Sequence, residues 1–157
     1  MAGIYRVTRQ GVNASGSPYP PLRNIILSKY HHDLSIVDVS LVLSQQSEGY
    51  FQTERELRLA HWGNKIGGTG HLSDGQFVTK ERSIAIEVEL HKKGQRRRDG
   101  IMKHYLKNFE INEVWYLCGT AAIQKLMEEY RLNMPYLKVM LLESFLSQEV
   151  DHVRITR

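Results

Sequence analysis

Residues 83–90 most constrain the fold, because apolar side chains alternate there strictly with others. Successive side chains of a β-strand point to opposite faces of the sheet, so a period of two predicts a strand with two different faces. One face carries Ile84, Ile86, Val88 and Leu90. The other carries Ala85, Glu87 and Glu89, and side chains two residues apart start about 6.6–6.8 Å from each other. The two carboxylates therefore lie side by side.

A second short strand, residues 76–79, precedes this one and predicts a β-hairpin. A hairpin that is symmetric about Glu81 pairs the two strands in a fixed register and places Asp74 opposite Val88. Asp74 then lies next to Glu87, and three carboxylates converge at one end of the hairpin.

Three ionised carboxylates in one place repel one another and raise one another's pKa values. A bound divalent cation removes this repulsion, and hard oxygen ligands favour Mg²⁺ or Mn²⁺ over softer metals. Asp74, Glu87 and Glu89 are therefore predicted to be catalytic, metal-binding residues. For Glu87 and Glu89 alone, the alternative is a pair of solvated side chains on a sheet with one exposed face.

The excess positive charge of the chain lies in one segment. The whole chain has a net charge of +4, whereas residues 91–107 hold seven Lys or Arg residues and a single acid, Asp99. A dense basic patch on a nearly neutral body indicates an anionic partner, most commonly nucleic acid, and the alternative is a solvated helix face. The predicted phosphate-binding residues are Lys92, Lys93, Arg96, Arg97, Arg98 and Lys103.

The acids and the following basic segment resemble the core of the PD-(D/E)xK nucleases. Asp74 stands at the family's Asp, and Glu87, thirteen residues later, stands at its Asp/Glu. Glu89 occupies the place usually taken by Lys, although some restriction endonucleases carry Glu there. The resemblance implies a restriction-endonuclease-like α/β fold, in which a mixed central β-sheet is flanked by helices. Lys93 and Lys80 are candidates for the missing lysine's role.

A longer resemblance runs from about Tyr5 to Tyr130. It is carried by His32-Asp33-Leu34, Thr53-Glu54-Arg55-Glu56-Leu57-Arg58, Leu72-Ser73-Asp74-Gly75-Gln76-Phe77, Ile84-Ala85-Ile86-Glu87-Val88-Glu89-Leu90 and the basic helix ending at Tyr105. In this order the motifs resemble the replication-relaxation proteins of bacterial plasmids and phages. Those proteins usually begin with a winged-helix DNA-binding domain, of which only something like the last strand, residues 5–8, remains here. The resemblance implies an extended N-terminal segment, 1–30, and a nuclease-like domain, 31–157.

The nuclease resemblance also implies a fourth acid on the first core helix. Thr53 and Glu56 have the spacing of a capping box, which predicts a helix start and gives Glu56 a structural role. Glu54 is therefore the candidate for a further metal ligand. The alternative for Glu54 is an exposed first-turn acid that the helix dipole stabilises.

The rest of the chain predicts alternating helices and strands, which is typical of an α/β protein. Helices are predicted from Ser35 to before Gly49, over 53–62, along the apolar stripe from Ile101 to Phe109, and after a cap at Thr120. Strands are predicted over 113–119, 137–142 and, at an edge, 152–155. Surface positions are predicted for His31, His32, His61, His71 and His104.

The chain carries no signal for export or membrane insertion. No window approaches the roughly 18 consecutive apolar residues that span a bilayer, and the N-terminus lacks the apolar core of a secretory signal. Cys118 is the only cysteine, so a disulfide framework is excluded. We expect no membrane partner and a cytoplasmic location in a bacterial host cell. The sequence leaves the choice between a monomer and a homodimer open.

Together the residues and the resemblance predict a metal-dependent nuclease that hydrolyses DNA with low sequence specificity, from a phage or mobile element. Asp74 and Glu87 are expected to hold one or two Mg²⁺ or Mn²⁺ ions, with Glu89 as a further ligand or as the group that orients the water. The alternative is a non-catalytic DNA-binding accessory protein of plasmid or phage replication, which the missing lysine favours. A protein–protein module with an incidental basic patch is a third alternative.

Overall fold

A computed structural model describes residues 7–21, 26–62 and 70–153 of the chain. The strands are β1 (Tyr50–Thr53), β2 (Gly75–Val78), β3 (Ser83–Glu89), β4 (Glu113–Cys118) and β5 (Leu137–Leu141). The helices are α1 (Arg9–Ala14), α2 (Tyr30–Gln46), α3 (Glu54–Trp62), α4 (Gln95–Tyr105), α5 (Ala121–Arg131) and α6 (Leu142–Val153). None of the helices in the described ranges is long and apolar enough to cross a membrane.

The five strands form one sheet in the order β1-β2-β3-β4-β5. β2 runs antiparallel to its neighbours β1 and β3, whereas β3, β4 and β5 are parallel and are connected through α4 and α5. The chain is therefore an α/β protein with an open, mixed five-stranded sheet flanked by helices, which confirms the predicted class.

Both faces of the sheet are buried. α2 and α6 cover one face, where the core contains Val39, Val42, Leu43, Ile84, Ile86, Val88 and Phe145. α4 and α5 cover the other, where the core contains Ala85, Ile101, Tyr105, Val114, Tyr116, Ile123 and Met127. Glu87 and Glu89 extend from the same face of β3 as Ala85, and each is 1% exposed. The alternative of solvated carboxylates on a one-sided sheet is therefore wrong.

Two predicted helix starts are confirmed by their hydrogen bonds. At the start of α3, the Glu56 carboxylate accepts from the Thr53 N–H at 2.7 Å, and the Glu56 N–H donates to the Thr53 hydroxyl at 3.3 Å. At the start of α5, the Thr120 hydroxyl accepts from the Ile123 N–H at 3.3 Å. Each bond satisfies a backbone donor that the first turn of a helix leaves free.

Two predicted helix boundaries are wrong, and one predicted strand overlaps a helix. α2 begins at Tyr30 rather than at Ser35, whose hydroxyl donates to the His31 carbonyl inside the helix. α4 ends at Tyr105, and Phe109 beyond it is 94% exposed. The predicted edge strand at 152–155 starts inside α6, and residues 154–157 lie outside the described residues.

The N-terminal segment differs from the extended conformation predicted for 1–30. It contains α1, in which the Thr8 hydroxyl accepts from the Gly11 N–H at 3.2 Å. In the strand predicted over 5–8, Tyr5 and Arg6 lie outside the described residues, and Thr8 is the N-cap of α1.

The register of the hairpin differs by one residue from the prediction. Val78 pairs with Ser83 and Gly75 pairs with Ile86, because the Thr79 N–H closes the turn on the Arg82 carbonyl at 2.9 Å. The next step of this register places Asp74 opposite Glu87 rather than opposite Val88.

Candidate functional site

Asp74 precedes β2 at the end of the sheet where β3 ends. Its Oδ2 accepts a hydrogen bond from the Val88 N–H at 2.8 Å, and its carbonyl accepts one from the N–H of Glu54, the first residue of α3, at 3.2 Å. The bond to Val88 fixes the carboxylate against the edge of β3. The predicted neighbourhood of Asp74 and Glu87 is thus present even though the register is shifted.

His32, in the first turn of α2, makes a second contact with Asp74. Its Nε2 lies 3.2 Å from Oδ2 of Asp74 and 3.1 Å from the Val88 carbonyl. Both of these atoms only accept hydrogen bonds, so Nε2 carries the proton. The hydrogen bond to Asp74 raises the pKa of His32, and partial burial opposes the rise.

Glu87 lies at the centre of the site. Its Oε1 accepts hydrogen bonds from the Tyr105 hydroxyl at 2.5 Å and from Nε2 of His71 at 2.6 Å. Burial raises the pKa of Glu87; the bond from His71 opposes the rise, and the charge of Asp74 adds to it. A buried acid with a raised pKa, such as Glu87, is typical of functional sites, because folding alone does not need it.

Glu89 has both carboxylate oxygens engaged by the protein. Its Oε1 accepts from the Lys93 N–H at 2.6 Å, its Oε2 accepts from the Tyr116 hydroxyl, and the Lys93 ammonium lies 3.6 Å from Oε2. These contacts connect β3 to β4 and to the loop before α4. They leave Glu89 no oxygen without a partner.

Glu54 forms an ion pair with Arg58 on the same helix, and its side chain is 44% exposed. Only its backbone contacts Asp74. In the ranges that the structure describes, no group of three or more His, Cys, Asp or Glu side chains is arranged so that it could hold a metal ion. The structure thus brings Asp74 and Glu87 together, and it places Glu54 and Glu89 in other contacts.

The predicted basic residues divide into surface and buried positions. Lys92, Arg96, Arg97 and Lys103 are exposed. Lys93 is partly buried beside Glu89, and Arg98 is only 7% exposed, with its guanidinium donating to the Lys93 carbonyl. The four exposed residues can reach a phosphate directly, whereas Arg98 stabilises the loop in front of α4.

Two histidines and two tyrosines of the site were missed by the sequence analysis. His32 and His71, predicted on the surface, are partly buried against Asp74 and Glu87. His71, Tyr105 and Tyr116 contact acids 16 to 27 residues away, and His32 contacts one 42 residues away. No local spacing signals such contacts. The motifs of the longer resemblance include His32 and Tyr105, but they gave neither residue a role in the site.

Comparison of the chain with models of protein families, with curated proteins and with solved structures finds no match.

Proposed function

We propose that the protein is a divalent-metal-dependent nuclease of the PD-(D/E)xK type, related to the replication-relaxation proteins, that hydrolyses DNA phosphodiester bonds with low sequence specificity. One observation carries the proposal. The 1% exposed Glu87 lies near Asp74, and the helix that holds Glu87 in place is the basic α4. The mixed α/β sheet is compatible with such a fold.

The carboxylate oxygens of Asp74 and Glu87 are suitable ligands for a hard divalent cation. No residue that the structure describes donates a hydrogen bond to Oδ1 of Asp74 or to Oε2 of Glu87. Two carboxylate oxygens are typical protein ligands of Mg²⁺, which fills its other positions with water and phosphate oxygens. A positive charge also offsets the repulsion and burial that raise the pKa of Glu87.

Asp74 and Glu87 would hold the cation, which supplies Lewis-acid activation of water and neutralises charge at the scissile phosphate. His71 and Tyr105 keep the Glu87 carboxylate in place. Glu89 accepts from the Lys93 N–H and so fixes the loop that carries Lys93, at the end of the sheet where Glu87 lies.

α4 connects the acids to the proposed DNA-binding surface. Tyr105, in its last turn, donates to Glu87, while Arg96 and Arg97 in its first turn are exposed. Exposed Lys and Arg side chains bind backbone phosphates with an affinity that falls steeply with salt and depends little on sequence. A DNA backbone held along α4 therefore lies on the helix that orders Glu87.

Incubation of the protein with supercoiled plasmid tests the proposal. We expect cleavage with Mg²⁺ or Mn²⁺, none with EDTA, and none by the Glu87→Gln variant. The Glu110→Gln variant, which changes an exposed acid beyond α4, is the matched control and is expected to cleave normally. Cleavage by Glu87→Gln at the wild-type rate would contradict the proposed site.

A non-catalytic DNA-binding accessory protein is the second candidate. The engagement of both Glu89 oxygens favours it, because only two acids then remain for catalysis. This candidate predicts DNA that is retarded on a gel at low salt but never cut, with or without metal.

Two neighbouring arginines provide a matched test of the DNA-binding surface. Arg97 is exposed and Arg98 is 7% exposed, so only Arg97 can lose a phosphate contact. We expect Arg97→Met to weaken DNA binding and to reduce the slope of log affinity against log salt by about 1. Arg98→Met should leave that slope unchanged. Fluorescence anisotropy with a short duplex in EDTA measures both, and equal slope changes in the two variants would contradict the assignment.

A further inference from the structure

The two acids of the site share one hydrogen-bonding pattern. In Asp74, the Val88 N–H and Nε2 of His32 both lie on Oδ2, at 2.8 and 3.2 Å. In Glu87, the Tyr105 hydroxyl and Nε2 of His71 both lie on Oε1, at 2.5 and 2.6 Å. Each carboxylate is therefore fixed through one oxygen by two donors from different elements, while its other oxygen has no described partner.

We infer that His32, His71 and Tyr105 are positioning residues that make Asp74 and Glu87 one-oxygen ligands of a single divalent cation. The ligand atoms are Oδ1 of Asp74 and Oε2 of Glu87. This inference rests on the proposed function, because it concerns the cation on which that function depends.

Two donors on one oxygen restrict how a carboxylate can bind a cation. Binding through both oxygens would place the cation where the donated protons of His71 and Tyr105 already lie. The Glu87 side chain is also 1% exposed and cannot turn into solvent to escape these donors. One-oxygen binding is therefore the geometry that the surrounding residues favour.

The number of ions follows from the same contacts. A second cation would need another carboxylate, and the nearest one on the strand, Glu89, uses both oxygens on Lys93 and Tyr116. With two protein oxygens on one ion, the other positions remain for water and substrate phosphate oxygens, which is the usual environment of Mg²⁺.

Mn²⁺ binding to the full chain without nucleic acid tests the inference. The signal of free Mn²⁺ in electron paramagnetic resonance gives the stoichiometry and the affinity. We expect one bound ion in the wild-type protein and an affinity about 10–100-fold weaker in His71→Ala, as for the loss of other outer-shell partners. His71→Gln should restore much of the affinity, because its amide can donate to the same oxygen. Tyr105→Phe should weaken binding in the same direction.

For the second acid, His32→Ala should weaken Mn²⁺ binding, and the adjacent His31→Ala should not. His31 is the matched control because it is exposed and its ring packs on Tyr30. Two bound ions, or wild-type affinity in both His71→Ala and Tyr105→Phe, would overturn the inference and leave the proposed function intact. A wild-type protein that binds no Mn²⁺ would overturn the proposed function and the inference together.

Discussion

We expect the Glu87→Gln variant to lose metal-dependent cleavage and to unfold at a higher temperature than the wild-type protein. The cleavage rate should fall by more than about 10–100-fold, the typical effect of losing an outer-shell partner, because this substitution removes a metal ligand itself. The amide oxygen of Gln can still accept from Tyr105 and His71, so the change removes the charge and keeps the shape.

The gain in stability follows from the raised pKa of Glu87. Burial and the charge of Asp74 raise this pKa in the folded protein above its value in the unfolded chain. The folded state then binds the proton more tightly, so folding loses stability as pH rises from the unfolded pKa, near 4.3, through the folded value. At neutral pH the titratable Glu87 carboxyl therefore makes folding less favourable, and a neutral Gln avoids this cost.

Thermal unfolding in EDTA measures this effect. In a chain of this length each 1 kcal/mol shifts the melting temperature by about 2–4 °C, and we expect a rise of at least this size at pH 7. The difference between Glu87→Gln and the wild type should shrink toward pH 4, where the wild-type carboxyl is protonated. A variant that melts below the wild type at pH 7, while Glu110→Gln is unchanged, would contradict the account.

How far the sequence predicts this fold depends on whether a signal is local. The alternation in β3 and the caps of α3 and α5 are local signals, each contained within a few consecutive residues. Those three elements are confirmed. β1 has only four residues and was missed, since its stability comes from pairing with β2 rather than from its own pattern.

The C-terminal helix shows the same limit. Leu142 and Phe145 are buried three residues apart, as on a helix, but Leu142 directly follows the apolar run of β5 and hides the change of period. A strand was therefore extended to 142 and the helix was missed.

The sequence predicted the acids of the candidate site but not the side chains that donate hydrogen bonds to them. Asp74 and Glu87 lie on opposite sides of one hairpin, so a shift of one residue in the register of its strands still leaves them adjacent. The donors that fix them come from α2, α4 and the segment before β2, and their positions depend on how the helices pack on the sheet. No spacing within one element encodes that packing.

A buried acid can stabilise the fold or bind the metal, and variants of Glu89 distinguish these two roles. We expect Glu89→Ala and Glu89→Gln to differ strongly in melting temperature. Glu89→Ala removes the acceptor of the Lys93 N–H and of the Tyr116 hydroxyl, and it leaves the Lys93 ammonium without its partner. Removing one partner of a buried ion pair typically costs 3–5 kcal/mol, about 6–20 °C in melting temperature here. Glu89→Gln keeps an oxygen for the Lys93 N–H, and its NH2 group can donate to the Tyr116 hydroxyl oxygen, so it should lose much less.

The same pair of variants decides whether Glu89 is a ligand. Because both of its oxygens are engaged by the protein, we expect Glu89→Gln to bind Mn²⁺ and to cut plasmid within about 3-fold of the wild type, a change of less than 1 kcal/mol. Glu87→Gln, measured beside it, should lose both properties. A folded Glu89→Gln protein that binds Mn²⁺ normally but no longer cuts would assign Glu89 to orienting the water. A loss of Mn²⁺ binding in that variant would instead make Glu89 a third ligand and show that its carboxylate leaves Tyr116 when the metal enters.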